Sequence, residues 1–395
     1  MTSGAKLRCL PDDFQVEEIT RLAPRGGRFA FYRLRKQNLG TPEALAAIAR
    51  RWRLPPRAIA FGGLKDKHAV TTQHLTIEGG PRQELAQTNL SLDYLGQVDR
   101  PFHASDIVAN HFQIVLRDLE PRRAAAMAER LARLGAIGVA NYYDDQRFGS
   151  LGATGQFIAR AWVDRDYERA CHLALCDSTD SDRPDDRLDR QRIAAAWGQW
   201  DDLARQACRD DRRAVLEELC RSNNFRRAFV RIAHPQRSLY LSAYQGFLWN
   251  ELLAEQLNRL VPPAQVVAVP LKAGRALLYR ELDSAVLDAL RQLAIPLPSS
   301  RIAPVGPIAE LIERVLVRHQ ITLKKLRVDY PRDSFFSKGE RAAIVFPAEH
   351  QAAAEPDPLH PARSLARLQF QLPRGAYATM VVKSLLIGDS VTASG

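Results

Sequence analysis

Cysteine is scarce in this chain. Cys9, Cys171, Cys176, Cys208 and Cys220 are odd in number and form no Cys-x-x-Cys pair. That pattern argues against a disulfide scaffold and against a structural zinc site. No apolar run reaches the roughly 18 residues that a membrane-spanning helix needs. Met1-Thr2-Ser3-Gly4-Ala5-Lys6 also lacks the apolar core of a signal peptide. A cytoplasmic protein without membrane association is therefore expected. Phosphate-binding loops, GxGxxG turns and clustered metal ligands are missing too.

Acidic residues are sparse where basic ones gather. The net charge is +11. Between Arg21 and Arg57, nine arginines and Lys36 are opposed by the single carboxylate of Glu43. Such a block suits a polyanion and reads as a phosphate footprint, the alternative being ordinary solvated helix and loop faces. A hydrophobic share of 46 % and a charged share of 26 % are those of a soluble protein, and 395 residues suffice for two domains with their own cores.

Thr41-Pro42-Glu43 reads as a helix start with a capping hydroxyl and a first-turn proline. Leu45, Ile48, Ala49 and Trp52 follow at helical spacing, and Pro55-Pro56 ends the run. A short strand then meets Gly62-Gly63, and Val70 to Ile77 reads as its return. His111 to Leu116 is another strand, Arg122 to Leu134 a helix closed by Gly135, and Ile137 to Ala140 a strand leading to Asn141 and Tyr143. In the middle, Asp177 to Arg190 reads as an exposed loop and Leu239 to Leu260 as a long helix. The aromatics of that helix, Tyr240, Tyr244, Phe247 and Trp249, read as core. Strands are expected at 266–271, 276–279, 340–346 and 365–372, helices near 283–293 and 307–319, and a loop at 352–361. Strands thus cluster at both ends and helices between them. The expected fold is α+β: a mixed, largely antiparallel sheet built from 1–155 plus 331–395, with a largely helical domain, 156–330, inserted.

The most informative segment is Phe61-Gly62-Gly63-Leu64-Lys65-Asp66-Lys67-His68-Ala69-Val70-Thr71-Thr72-Gln73-His74. One carboxylate sits among Lys65, Lys67 and His68 at a Gly-Gly corner, where cations favour the ionised acid and glycine permits close approach to a ligand. Such a group suits nucleophilic catalysis beside an anionic substrate. The plainer reading is a charged surface turn. Neighbouring strand positions point to opposite faces, so Lys65 and Asp66 need a bend to pair directly.

This segment resembles the signature (A/G)-G-x-K-D-(K/R)-x-A-V-T of the TruD family of tRNA pseudouridine synthases. Three further stretches resemble the same family in the same order. They are Pro11-Asp12-Asp13-Phe14-Gln15-Val16-Glu17-Glu18, Asn141-Tyr142-Tyr143-Asp144-Asp145-Gln146-Arg147-Phe148-Gly149, and Leu372-Pro373-Arg374-Gly375-Ala376-Tyr377-Ala378-Thr379-Met380-Val381-Val382-Lys383. The resemblance departs at 96–106, where the family's basic segment is not matched, and at Tyr377, where many members carry Phe.

The resemblance implies a pseudouridine-synthase catalytic domain with a cleft against the inserted domain. It implies Asp66 as the catalytic carboxylate and Phe14, Asn141 and Tyr377 as uridine contacts sharing one pocket, with Tyr143 a stacking neighbour. Lys36, Lys65, Lys67, His68 and Arg147 are the implied RNA contacts, the partner is tRNA, and the implied reaction needs no metal and no nucleotide or redox cofactor, in keeping with the missing motifs. The family's usual target is uridine 13, a base that must be flipped out to be reached. The other reading is a non-catalytic RNA-binding or tRNA-folding module on the same scaffold. On sequence alone Phe14 also fits strand core, Asn141 a turn cap, Tyr377 packing beneath the sheet, and Arg147 a structural ion pair.

Overall fold

A computed structural model of the chain describes residues 4–387 except 68 and 208. Two compact units are present. One contains the chain up to Val139 and from Val345 onward; the other is Ala140–Ile344. Residues 140–155 and 331–344 therefore fall in the second unit.

The first unit is built on a mixed sheet. In chain order its strands include β1 (Lys6–Leu7), β2 (Phe14–Thr20), β3 (Phe29–Gln37), β4 (Ile59–Phe61), β5 (Val70–Glu78), β6 (Leu85–Gln87), β7 (Leu90–Val98) and β8 (Ile107–Leu119). The main path runs from the strand Ala348–Pro356 through Ser364–Pro373 to β8, β2, β5, β3, β7 and β6, with β1 on β8 and β4 on β5. All of these pairs are antiparallel except β2 with β5, which runs parallel, Gln15 opposite Val70 and Glu17 opposite Thr72. Parallel neighbours need a crossover, supplied here by β3, helix α1 (Thr41–Trp52) and β4. As a result, the segments leading into β2 and β5 reach the same end of the sheet.

Register fixes which side chains share a face. Glu18 lies opposite Asn110, Lys36 opposite Thr71, and Leu34 opposite Gln73. With the two-residue alternation of strands, Phe14, Glu18, Asn110, Gln73 and Lys36 come to one face. Ala30, Tyr32 and Leu34 of that face bury against Ala44 and Ile48 of α1 and Leu75, Ile77 and Leu92. Burial of each large apolar side chain is worth about 1.5–3 kcal/mol. On the opposite face Gln15, Glu17, Arg33, Arg35, His111 and Gln113 line an open polar concavity.

The second unit is largely helical. Its longest helix, His234–Leu260, buries Tyr240, Tyr244 and Trp249 as the sequence suggests and leaves Phe247 half-buried, and the two expected strands form the hairpin Val266–Leu271 with Gly274–Tyr279, Gly274 belonging to the second strand. Among the described residues, no helix is long and apolar enough to cross a membrane.

Four local expectations need correction. Thr41 is not the helix cap: Gly40 occupies that position, and Thr41 is the first helical residue with its hydroxyl used elsewhere. The helix expected at 122–134 is two, Pro121–Ala125 and Met127–Ile137, and Gly138 (φ 77°) ends the second. Gly135 lies inside it because a Cβ there would come within 2.4 Å of the His350 ring. Within 177–190, Pro184 opens the helix Pro184–Ala195, secured by ion pairs such as Arg212 to Asp189 at 2.6 Å. Ala348–Pro356 is an edge strand, not a loop, pairing Ala352 with Leu368.

Candidate active site

The Asp66 loop joins β4 to β5 and is held from beneath. The amide of Gln73 donates to the Gly63 carbonyl at 3.4 Å, and the Lys65 main-chain N–H donates to the Thr41 hydroxyl at 3.0 Å. Lys36 donates from its ammonium to the carbonyls of Asp66 (2.9 Å) and Leu39 (2.7 Å). The Lys65 side chain turns inward, its ammonium 3.1 Å from Glu18 and 2.5 Å from the Asn110 carbonyl oxygen. The side chain of Asp66 turns elsewhere, with the Arg8 guanidinium 2.7 Å from its carboxylate. Adjacent residues thus serve opposite sides of the loop.

Arg8 also lies 4.3 Å from the centre of the Phe14 ring. One guanidinium therefore touches both Phe14 and Asp66. Phe14 is 4 % exposed, and its ring packs edge-on against Phe112 at 6.3 Å. The turn between Arg8 and Phe14 is tied down by Asp13, which accepts from the Leu10 N–H at 2.8 Å and pairs with buried Arg117 at 2.8 Å. Arg117 reaches Asp357 as well, at 3.0 Å. Arg8 itself has a left-handed backbone, φ 62°, a conformation that costs a non-glycine residue energy and that surrounding contacts must sustain.

Electrostatics here follows burial and its compensation. Burial alone would raise the Glu18 carboxyl, but contacts from His74 and the Lys65 ammonium hold it below its ordinary value. Burial pushes Lys36 down to about 8; the carboxylates of Asp66 and Glu43 oppose this, and Lys65 adds to it. For Asp357, too, burial acts upward. Main-chain N–H bonds from Asp118 and Leu359, with His360 and Arg117, hold it well below the usual carboxylate range.

Tyr377 stands half-buried at the start of the helix Ala378–Leu386, its carbonyl accepting from the Met380 N–H at 3.0 Å. In the second unit, Asn141 and Tyr143 come together around Arg341. The Arg341 guanidinium donates to the Asn141 side-chain oxygen at 2.5 Å and to its main-chain carbonyl at 2.8 Å, and lies 4.3 Å from the Tyr143 ring centre. The Asn141 amide donates to the Ala342 carbonyl at 2.9 Å. Arg147 covers the same Tyr143 ring at 4.6 Å. Gly246 permits this packing, since a Cβ there would come within 3.1 Å of Arg147 and 3.4 Å of Tyr143.

Several of the cations expected to meet RNA point inward instead. Lys36 is 1 % exposed. Lys65 is engaged with Glu18, and Arg147 lies over a Tyr143 ring that is itself 8 % exposed. Lys67 is exposed, 3.6 Å from Glu43, and is the one that keeps its charge toward solvent among those described. His68 lies outside the described residues. The atypical 96–106 segment is held internally, Arg100 forming two bonds to buried Asp106 at 2.8 and 2.6 Å.

The sequence profile of tRNA pseudouridine synthase D (TruD) matches residues 2–385 of this chain. The chain belongs to the TruD family. That family is one of isomerases. A Methanococcus maripaludis protein named "Probable tRNA pseudouridine synthase D 1" is 28 % identical over 388 residues, covering 96 % of this chain and 98 % of the relative. The Aquifex aeolicus tRNA pseudouridine synthase D is 27 % identical over 390 residues, covering 96 % and 97 %. A crystal structure from Methanosarcina mazei, assigned to TruD, superposes with a TM-score of 0.68 at 22 % identity, covering 97 % of this chain and 93 % of that one. The fold agrees with the α+β architecture of that structure.

Two residues of this TruD chain were not visible in its motifs. Arg8 precedes the Pro11-Asp12-Asp13-Phe14 stretch by a short interval, and nothing about an isolated Arg marks it as a carboxylate's partner. Arg341 is about 200 positions from Asn141 in sequence and is joined to it only by tertiary structure. For Lys36 a signal did exist. It continues the alternation Ala30, Tyr32, Leu34 on the buried face of β3, which predicts an inward position.

Proposed function

We propose that this chain converts uridine to pseudouridine in tRNA, at uridine 13, with Asp66 as the nucleophile. The observation that carries this reading is the Arg8 guanidinium shared by the Asp66 carboxylate and the Phe14 ring, in two segments that match TruD motifs. Asp66 acts at C1′ of the flipped nucleotide. The bond from C1′ to N1 breaks, the uracil turns, and C5 bonds to C1′ as the carboxylate leaves. The C5 proton departs and N1 regains one, so the product is an isomer and no redox partner is required. The Arg8 guanidinium, held at both ends, orients the carboxylate for this attack.

Tyr377 contributes aromatic surface to the uridine and Asn141 contributes its amide, whereas the buried Phe14 ring, expected to meet the base, acts through the Arg8 guanidinium that lies over it. An Asn side chain has two N–H donors, and Ala342 takes one. Tyr143 acts through Arg341, which it stacks against, rather than by meeting the base. Lys67 and the exposed arginines Arg50, Arg51, Arg53 and Arg57 hold phosphates. The test is incubation of the purified protein with transcribed tRNA followed by chemical mapping of pseudouridine. One modified position at uridine 13, lost when that uridine is replaced by cytidine, supports the reading. A different position, or none, counts against it.

A further inference from the structure

Three buried polar side chains grip three main-chain groups of the Asp66 loop. Gln73 holds the Gly63 carbonyl, Thr41 the Lys65 N–H, and Lys36 the Asp66 carbonyl. Thr41 also donates to Gln73 at 3.0 Å, so two of the three form one chain. Thr41 and Gln73 are fully buried and Lys36 nearly so.

Of these, Lys36 breaks the hydrophobic pattern of its own strand. The preceding inward residues of β3, Ala30, Tyr32 and Leu34, are hydrophobic, whereas Lys36 pairs with buried Thr71 of β5. A buried ammonium is among the costliest groups in a protein unless it is bonded. Lys36 directs both of its bonds to main-chain carbonyls, one of them that of Asp66 itself. The loop it holds starts with Gly62-Gly63, and Gly63 has open space where a Cβ would stand. Gly63, without neighbours there, allows the backbone to turn freely, whereas Gly62 is packed closely by Ile107 and Phe102, so beyond Gly63 the restraint comes from the buried side chains beneath the loop.

We propose that Lys36 is a positioning residue for the reaction: its side-chain nitrogen locks the peptide that carries Asp66, fixing the direction of the carboxylate before RNA arrives. This rests on Asp66 being the nucleophile. The charged groups around Lys36 are the carboxylates of Asp66 and Glu43 and the ammonium of Lys65, and Lys67 faces Glu43 from the exposed side of the loop. Arg8 acts on the side chain of Asp66 and Lys36 on its main chain, which fixes the residue at both ends. A displacement of about 1 Å at a reacting group lowers a rate by roughly 100-fold.

The experiment uses the full chain with Lys36→Met and Lys36→Ala, each tested for single-turnover pseudouridine formation, tRNA affinity and hydrogen exchange of the segment 63–67. Lys36→Met should bind tRNA within about twofold of the parent while its rate falls roughly 100-fold. Exchange at 63–67 should quicken, with β3 and β5 unchanged. Ethylamine added to Lys36→Ala should restore part of the rate and part of the protection, and restore nothing to Asp66→Asn. An unaltered rate in Lys36→Met, or 63–67 exchange equal to the parent's, overturns the proposal. So does a loss of protection throughout the sheet that ethylamine does not reverse. The exchange arm needs no turnover: if Asp66→Asn remains active the nucleophile assignment fails, while the loop anchor is still decided by exchange alone.

Discussion

Arg8 and Asp66 form an ion pair of 2.7 Å although 57 residues separate them in the chain. The same guanidinium faces the Phe14 ring at 4.3 Å. Parallel pairing of β2 with β5 makes this possible by bringing both leading segments to one end of the sheet. Hydrogen bonds to charged groups are worth about 1.5–3 kcal/mol. Arg8→Met should therefore slow isomerisation by about 10- to 100-fold, and Arg8→Lys by less, because a cation remains. Single-turnover rates with saturating enzyme measure this directly. Equal rates for Arg8→Met and the parent would exclude the role.

Arg50, Arg51 and Arg53 cluster at the end of α1 and are exposed. Each phosphate neutralised contributes about 0.7 to 0.9 to the slope of log K against log salt. Replacing the three with Gln should flatten that slope by up to about 2 to 3 and weaken tRNA binding, with the melting temperature little changed. Titrations at several salt concentrations provide the comparison. An unchanged slope means that the phosphates are held elsewhere.

Arg341 clamps Asn141 by two hydrogen bonds and stacks on Tyr143. Arg341→Met leaves the Asn141 acceptors without that donor, a loss of about 1–3 kcal/mol of stability. The rate should fall with it, as in Asn141→Ala. Tyr377→Phe should be mild, because the ring face is kept, whereas Tyr377→Ala should remove a stacking contribution of about 1–3 kcal/mol. Urea melts separate the stability effect from the kinetic one. A fully active Asn141→Ala would remove that residue from the site.

Asp357 has a folded-state pKa below its unfolded value, so it contributes stability above the unfolded pKa and loses it as pH falls toward the folded one. The parent should therefore lose stability steadily between about pH 4 and pH 2. Arg117→Met leaves Asp13 and Asp357 buried without their guanidinium. Breaking such a pair costs about 3–5 kcal/mol at neutral pH, and the further acid loss should be shallower than in the parent. Denaturant midpoints from pH 7 downward provide the check. A parallel acid dependence in both proteins would mean that Asp357 owes nothing to Arg117.

Much of this architecture was legible because its signals are local. Leu45, Ile48 and Trp52 mark α1 by spacing, Val70 onward marks β5 by β-branched residues, and Asp66 stands out as a lone carboxylate among cations. What sequence hid depends on tertiary partners. Thr41 looks like a cap until Lys65 and Gln73 claim its hydroxyl. The edge strand Ala348–Pro356 has one partner and mostly exposed side chains, so neither periodicity nor β-branching reveals it. Pro184–Ala195 carries little apolar stripe, and its ion pairs to a later helix cannot be read from its own residues. Lys36 and Arg147 were expected to meet RNA, whereas one is bonded to carbonyls and the other lies on a buried ring, placements that tertiary structure decides.

The central claim is that the Asp66 carboxylate does the chemistry. Asp66→Asn keeps the size and the hydrogen-bonding oxygen but removes the nucleophile. Single-turnover assay of the purified variant on transcribed tRNA, alongside its binding affinity, is the most direct measurement. The account predicts no detectable pseudouridine with tRNA affinity close to the parent's. Pseudouridine formed by Asp66→Asn at a rate near the parent's would contradict it.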